Sequence, residues 1–224
     1  MNTIKTLIIH FSNTIPSKDI LAFRGAIIAS LEKDNILFHN HTEDGLRYSY
    51  PLIQYKRIGG KATIVCLGEG TESIGEFFSS ANHEFDLNGR KEVFSIDTVR
   101  AYETIVDCTD TFFYYHLHSW LPLNQENYAI YNSLEGVVEK AQMLEKILIG
   151  NILSLLKGFD IYLDKQLIVN ITHIIKEKTL RYKKVRFTGY DLEFKANIQL
   201  PNYIGIGKSA SSGFGILTRN NKHE

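Results

Sequence analysis

The apolar positions fall into short runs whose spacing alternates between strand and helix periods. Ile4 to Phe11 (IKTLIIHF) is short, apolar and rich in β-branched residues, the pattern of a buried strand. The following SKDILAFRGAIIASLEK brings Ile20, Phe23, Ala26, Ile27 and Ser30 round at helical spacing, with Lys18, Asp19, Arg24 and Lys33 elsewhere, and predicts an amphipathic helix. Leu52 to Ile58 and Lys61 to Leu67 are two strands joined by Gly59-Gly60, a dipeptide suited to a tight hairpin. Gly68 to Ala81, with Ile74, Phe77 and Phe78, predicts a second helix, and Lys91 to Asp107 returns to strand character. The order β-α-β-β-α-β is the ferredoxin-like arrangement.

The second half opens on an aromatic strand, Thr111 to Trp120 (TFFYYHLHSW). A long helix follows from about Leu134 to Lys157, with Asn132 and Glu135 as a capping box and Gly158 as its stop. Ile168 to Ile175 and Val185 to Leu200 alternate as strands, and the chain closes with a glycine-rich segment, Tyr203 to Phe214. This order fits a second β-α-β-β unit with a reduced final part. The predicted class is α+β, two tandem ferredoxin-like domains over 1–109 and 110–224, the second carrying the glycine-rich loop.

Composition bounds the function classes. The 224 residues are 44% hydrophobic and 22% charged, with four Pro and no low-complexity tract, so the chain is expected to fold almost end to end. Two cysteines, Cys66 and Cys108, make neither a disulfide framework nor a four-ligand zinc site, and are read as reduced core residues. No signal peptide or bilayer-spanning run is seen, so a cytoplasmic protein without membrane contact is expected. The 25 basic and 25 acidic residues cancel, which at first sight speaks against a nucleic-acid partner. By segment, however, residues 1–68 carry +3, 69–126 carry −8, 127–175 carry −1 and 176–224 carry +6. The two ends are basic and the middle is acidic.

Candidate chemistry gathers in three places. The loop NILFHNHTEDGLRYSYP puts His39, His41, Arg47, Tyr48 and Tyr50 close together, after a helix carrying Arg24. Two imidazoles beside phenols and a guanidinium are the ingredients of metal-free acid–base chemistry on a phosphodiester. The same spacing also suits a polar surface loop and, with Glu43 and Asp44, a metal site, though no second ligand cluster accompanies it. The second place is YIGIGKSASSGFG, in which Gly205, Gly207, Gly213 and Gly215 admit phosphate near the backbone while Lys208, Ser209, Ser211 and Ser212 add donors. A Walker A loop is excluded, because Asn202 stands where glycine is required and no helix follows. The third is the basic strand pair with Lys176, Lys178, Arg181, Lys183, Lys184 and Arg186, interrupted by Tyr182 and Phe187, which reads as a solvated hairpin tip or as a phosphate-tracking surface. His116 and His118 share one strand face and are read as structural.

Several of these segments, in this order, resemble the Cas6 endoribonucleases of CRISPR systems, most closely the Cas6b branch. The matching stretches are FRGAIIA at Phe23 to Ala29, HNH at His39 to His41, RYSYPLIQYK at Arg47 to Lys56, GEG at Gly68 to Gly70, KILIGNILSL at Lys146 to Leu155 and YIGIGKSASSGFG at Tyr203 to Gly215. The resemblance implies two RRM-like domains, and a metal-independent, cofactor-free cleavage of CRISPR repeat RNA that releases guide RNAs from a precursor transcript. The ribose 2′-hydroxyl would attack the phosphorus, leaving a 2′,3′-cyclic phosphate and a 5′-hydroxyl. By the same match, His41 is the general base, His39 the second acid–base group and Tyr48 the group that positions the phosphate. Arg24, Arg47 and Lys56 would hold the RNA backbone, and the glycine loop with Lys208 would line the RNA cleft; the basic strand pair, read from its charge and not from the match, adds Arg181, Lys183, Lys184 and Arg186 as RNA contacts. Proteins of a CRISPR effector complex and a second copy of the chain are further partners it admits. The alternatives carried beside this are a catalytically inactive repeat-RNA-binding relative and a protein-interaction module docking through the acidic middle.

Overall fold

The computed structural model describes residues 2–29, 41–42, 45–46, 50–79, 83–182 and 185–220. The chain forms two compact units. One comprises Thr3–Thr104 together with Ser211–Gly213, and the other comprises Met1–Asn2, Ile105–Ala210 and Phe214–Glu224.

In the first unit, β1 (Thr3–Thr14) leads through a single 3-10 turn (Ser17–Asp19) into α1 (Ile20–Ala29). The two-residue strands β2 (His41–Thr42) and β3 (Gly45–Leu46) pair with each other, and β4 (Ile53–Ile58) and β5 (Lys61–Leu67) form the hairpin across Gly59-Gly60. The helix expected over 68–81 is divided into two short pieces, α2 (Gly70–Ser73) and α3 (Gly75–Ser79). The strand expected over 91–107 is likewise two elements. A small hairpin, β6 (Glu84–Leu87) with β7 (Arg90–Val93), precedes β8 (Ile96–Ile105). The main sheet has the order β4-β5-β1-β8, the ferredoxin-like order predicted for this half.

Strand alternation gives this sheet two faces. Ile9, Tyr55 and Ile64 face α1 and join a buried aromatic cluster of Phe11, Phe23, Phe77, Phe85 and Phe94. Phe23 and Phe94 stack at 5.4 Å, and Phe11 meets Phe23 edge-on at 5.7 Å. The opposite face holds the rows Ile8, Val65, Gln54 and His10, Thr63, Lys56. Apart from His10 these residues are buried as well.

The second unit repeats the order with one omission. β9 (Cys108–Trp120) is followed by α4 (Gln125–Ser133) and α5 (Val137–Lys157), then β10 (Val169–Tyr182), β11 (Val185–Ile198) and β12 (Ile216–Arg219) in the sheet order β10-β11-β9-β12. A glycine-rich segment holding only a 3-10 turn (Ala210–Ser212) stands where a second crossover helix would lie. Leu144, Leu148, Ile152 and Leu155 of α5 are buried in the unit that also buries Tyr115, Leu117, Leu192, Phe194 and Leu217. The buried Tyr115 hydroxyl donates to the Ile198 carbonyl at 3.0 Å and accepts from the Leu200 N–H at 2.9 Å.

Three local expectations change. α4 replaces a stretch with no predicted element, and is capped by Asn124, whose side chain accepts from the Asn127 N–H at 2.7 Å. The cap of α5 is formed at Gly136 by Glu139, not by Asn132 and Glu135, because α4 occupies Asn132. β10 runs to Tyr182, well past Ile175, because β11 pairs with it residue by residue as far as Val185. Cys66 is a buried free thiol, as expected, whereas Cys108 is only half-buried. Among the described residues no helix is long and apolar enough to cross a membrane.

The turn before α1 is tied down by one carboxylate. Asp19 is almost fully buried, 3% exposed, and accepts from the Arg90 guanidinium at 2.5 Å and from Asn88 Nδ2 at 3.2 Å, so it clamps the β6–β7 hairpin to the helix start. Removing a buried acceptor of this kind costs about 1–3 kcal/mol. Asp19→Ala is expected to lower stability by about that much in urea denaturation, and an unchanged midpoint would contradict the clamp.

Candidate nucleic-acid interface

The glycine-rich segment replaces a helix, so its backbone groups must find partners individually. Tyr203 N–H donates to the Leu217 carbonyl at 2.7 Å, Leu217 N–H to Ile204 at 2.8 Å, Ile206 N–H to Gly215 at 2.8 Å and Gly215 N–H to Ser119 at 3.2 Å. These bonds press the segment onto β12 and the end of β9. Gly215, at φ +60°, lies so close to the Ile206 carbonyl that a Cβ there would overlap it. Gly207, at φ +83°, covers the bond from Trp120 Nε1 to Asn151 Oδ1, 3.0 Å long, and a Cβ there would stand 2.5 Å from that oxygen. Lys208 is exposed, its ammonium 4.2 Å from the centre of the Phe187 ring. A cation over an aromatic face keeps its charge while losing freedom. Ser209 adopts φ +61°, Ser211 and Ser212 place their hydroxyls 3.4 Å apart, and Gly205 and Gly213 complete the loop.

The long β10–β11 hairpin carries the second basic feature. Arg181 and Arg186 are directly opposite each other in register, and both are exposed. Like charges facing across strands destabilise a hairpin, and an anion between them removes that cost. Lys178 is engaged elsewhere, holding both Asp191 oxygens at 2.7 Å. Lys183 and Lys184 lie outside the described residues.

In the first unit, Arg24 is half-buried on α1, and its Nε is enclosed with no hydrogen-bond partner among the described residues. Lys56 is fully buried, and desolvation pushes its ammonium down to about 7. Its side chain is therefore not an exposed phosphate contact of this surface. In the same row His10 bonds Thr63 Oγ1 at 3.0 Å, and its imidazole lies below its usual range, first because of burial and then because of Arg100. His41 occupies β2 opposite Leu46, and its side chain lies outside the described set. His39, Arg47 and Tyr48 are outside the described residues altogether.

Residues 2–104 match the family model of the Cas6b N-terminal domain, and residues 107–220 match that of the Cas6b C-terminal domain. The chain belongs to the Cas6b family. A crystal structure of a Cas6b is similar over 98% of this chain and 100% of its own, at 26% identity and a TM-score of 0.89. A second, titled as the CRISPR RNA processing endoribonuclease Cas6b, is similar over the same shares at 25% identity and a TM-score of 0.76. An uncharacterised protein of Methanocaldococcus jannaschii is 38% identical over 106 residues, which cover 47% of this chain and 71% of that protein.

The fold adds residues to the candidate interface of this Cas6b chain that spacing did not single out. Trp120, Asn151 and Phe187 come from three different elements and meet only at the glycine loop. The appearance of Asn151 within KILIGNILSL, between apolar helix positions, was the available cue. His116 and His118 do share a face, where His116 pairs with Glu193 and His118 bonds Thr218 Oγ1 at 3.0 Å. Burial, above all, holds the His118 imidazole below its usual range.

The Lys56 environment has a pH signature. Its native pKa of about 7 lies below the unfolded value of about 10.4. Between those values the unfolded chain binds a proton that the native chain does not, so this group adds stability as pH rises. The wild type is expected to gain stability relative to Lys56→Met between pH 6.5 and 8.5 in urea denaturation, and a pH-independent difference would refute it. The buried Cys66 thiol, which burial pushes up, contributes with the opposite sign above its unfolded pKa, but it is common to both proteins and cancels in this difference.

Proposed function

We propose that this Cas6b chain is an endoribonuclease that binds the repeat of a CRISPR precursor RNA and cleaves it into guide RNAs without metal or cofactor. The observation that carries the proposal is its membership of the Cas6b family along nearly the whole chain, together with its likeness to a structure titled a CRISPR RNA processing endoribonuclease. The exposed Arg181–Arg186 pair and the Lys208 glycine loop support an anionic ligand, and the +6 charge of residues 176–224 agrees with it.

The chemistry follows from the residue types in the loop after α1. His41 takes the proton of the ribose 2′-hydroxyl as that oxygen attacks the adjacent phosphorus. His39 delivers a proton to the departing 5′-oxygen, and Tyr48 positions the phosphate. The P–O5′ bond breaks as the P–O2′ bond forms, giving a 2′,3′-cyclic phosphate and a 5′-hydroxyl. Arg24 and Arg47 offset the extra charge on phosphorus. Imidazole as a side-chain type ordinarily exchanges protons near neutral pH, so the two transfers call for no metal-bound hydroxide.

Labelled transcripts of the cognate repeat are expected to be cut in the presence of EDTA, and a repeat with 2′-deoxyribose at the scissile nucleotide is expected to remain whole. His41→Ala is expected to lose at least about 100-fold in cleavage rate while retaining RNA binding. A requirement for divalent ions, or wild-type cutting by the variant, would overturn the mechanism. Binding without cleavage of any repeat would identify the chain as a guide-holding relative instead.

A further inference from the structure

Trp120 is the only tryptophan of the chain and is completely buried. An indole N–H can only donate, and it is satisfied by Asn151 Oδ1 on α5 at 3.0 Å. That bond decides which way the Asn151 carboxamide points. Its oxygen faces the indole, so its NH2 group is turned away from it. Asn151 is half-buried, and its NH2 group makes no hydrogen bond among the described residues. Asn151 thus offers donors only.

Gly207 lies against this pair. Only a residue without a side chain can approach this closely, since even a Cβ would stand 2.5 Å from Asn151 Oδ1 and 2.9 Å from Trp120 Nε1. The next residue is Lys208, whose ammonium is held against the Phe187 ring. An oriented amide donor and an adjacent cation, with the backbone bare between them, complement a ligand that only accepts hydrogen bonds and carries negative charge. An RNA phosphate oxygen has that chemistry.

We infer that Asn151 is an RNA-contacting residue, its carboxamide oriented by Trp120 so that the NH2 group donates to a backbone phosphate at the Gly207-Lys208 corner of the glycine loop. This rests on the RNA-binding function proposed above. A purely internal role for Asn151, as acceptor for the indole, makes a different prediction. Asn151→Asp keeps an acceptor for Trp120 but has no donor to give, whereas Asn151→Leu removes both.

The test measures binding of the full-length protein to its cognate repeat RNA, carrying 2′-deoxy substitutions that block cleavage. Because there is one tryptophan, its indole N–H resonance is a single reporter beside Asn151, and it is followed during the same titration of the wild type. The expected result is at least a tenfold loss of affinity in both Asn151→Asp and Asn151→Leu, an unchanged melting temperature in the Asp variant, and a shifted indole resonance on RNA addition. Wild-type affinity in Asn151→Asp, or an indole resonance that RNA leaves in place, overturns the inference while RNA binding itself stands. If Asn151→Asp fails to fold, the wild-type titration decides by the same criterion. Failure of the wild type to bind repeat RNA at all removes both the functional proposal and this contact.

Discussion

The close approach of two backbone stretches, Gly215 against the Ile206 carbonyl, is the constraint on which the C-terminal unit depends. A ferredoxin-like unit ordinarily places a helix between its third and fourth strands, and this one does not. The glycine-rich segment buries Ile204, Ile206 and Ala210 in its place and bonds β12 through Leu217. Any side chain at Gly215 would push the two stretches apart, and β12 would lose its register on β9. The loop that presents Lys208 therefore has a conformation imposed by sheet closure.

Two lysines show how location alone assigns different physical roles to one side chain. Lys208 is exposed, and the Phe187 ring beneath its ammonium limits its motion. Lys56 lies in a sheet buried on both sides, where the charged form is disfavoured and the ammonium gives up its proton near neutral pH. The neighbouring Gln54 is also buried, and is accommodated because its Nε2 donates to Tyr50 Oη at 2.8 Å and to the Pro51 carbonyl at 2.9 Å.

Much of the fold was legible because its elements obey local periodicity. The β-branched run of β1, the Gly59-Gly60 hairpin and the apolar positions of α5 each carry their own pattern. α4 was not legible by that route, because QENYAIYNS buries only Tyr131 and so has no apolar stripe. Only the Asn124 cap marked it. The outer half of β10 was equally hidden, since its exposed, charged residues make no alternating pattern and its extension depends on pairing with β11. In the candidate interface, the motifs named the glycine loop and the basic hairpin. They did not distinguish Lys178, paired with Asp191, from Arg181 and Arg186, which are directly opposite each other in register and have no ion pair among the described residues.

By itself the sequence determined the order of the main-sheet strands and of the two principal helices, the glycines without which the loop could not close, and the motif set that places the chain in the Cas6b family, because each of these is written in neighbouring residues. Tertiary structure alone decided which cations meet solvent and which are buried, and it alone brought Trp120, Asn151 and Gly207 to one point. The physical reason is that solvation and hydrogen-bond orientation are properties of surroundings assembled from distant parts of the chain. No spacing along one segment encodes what will cover it.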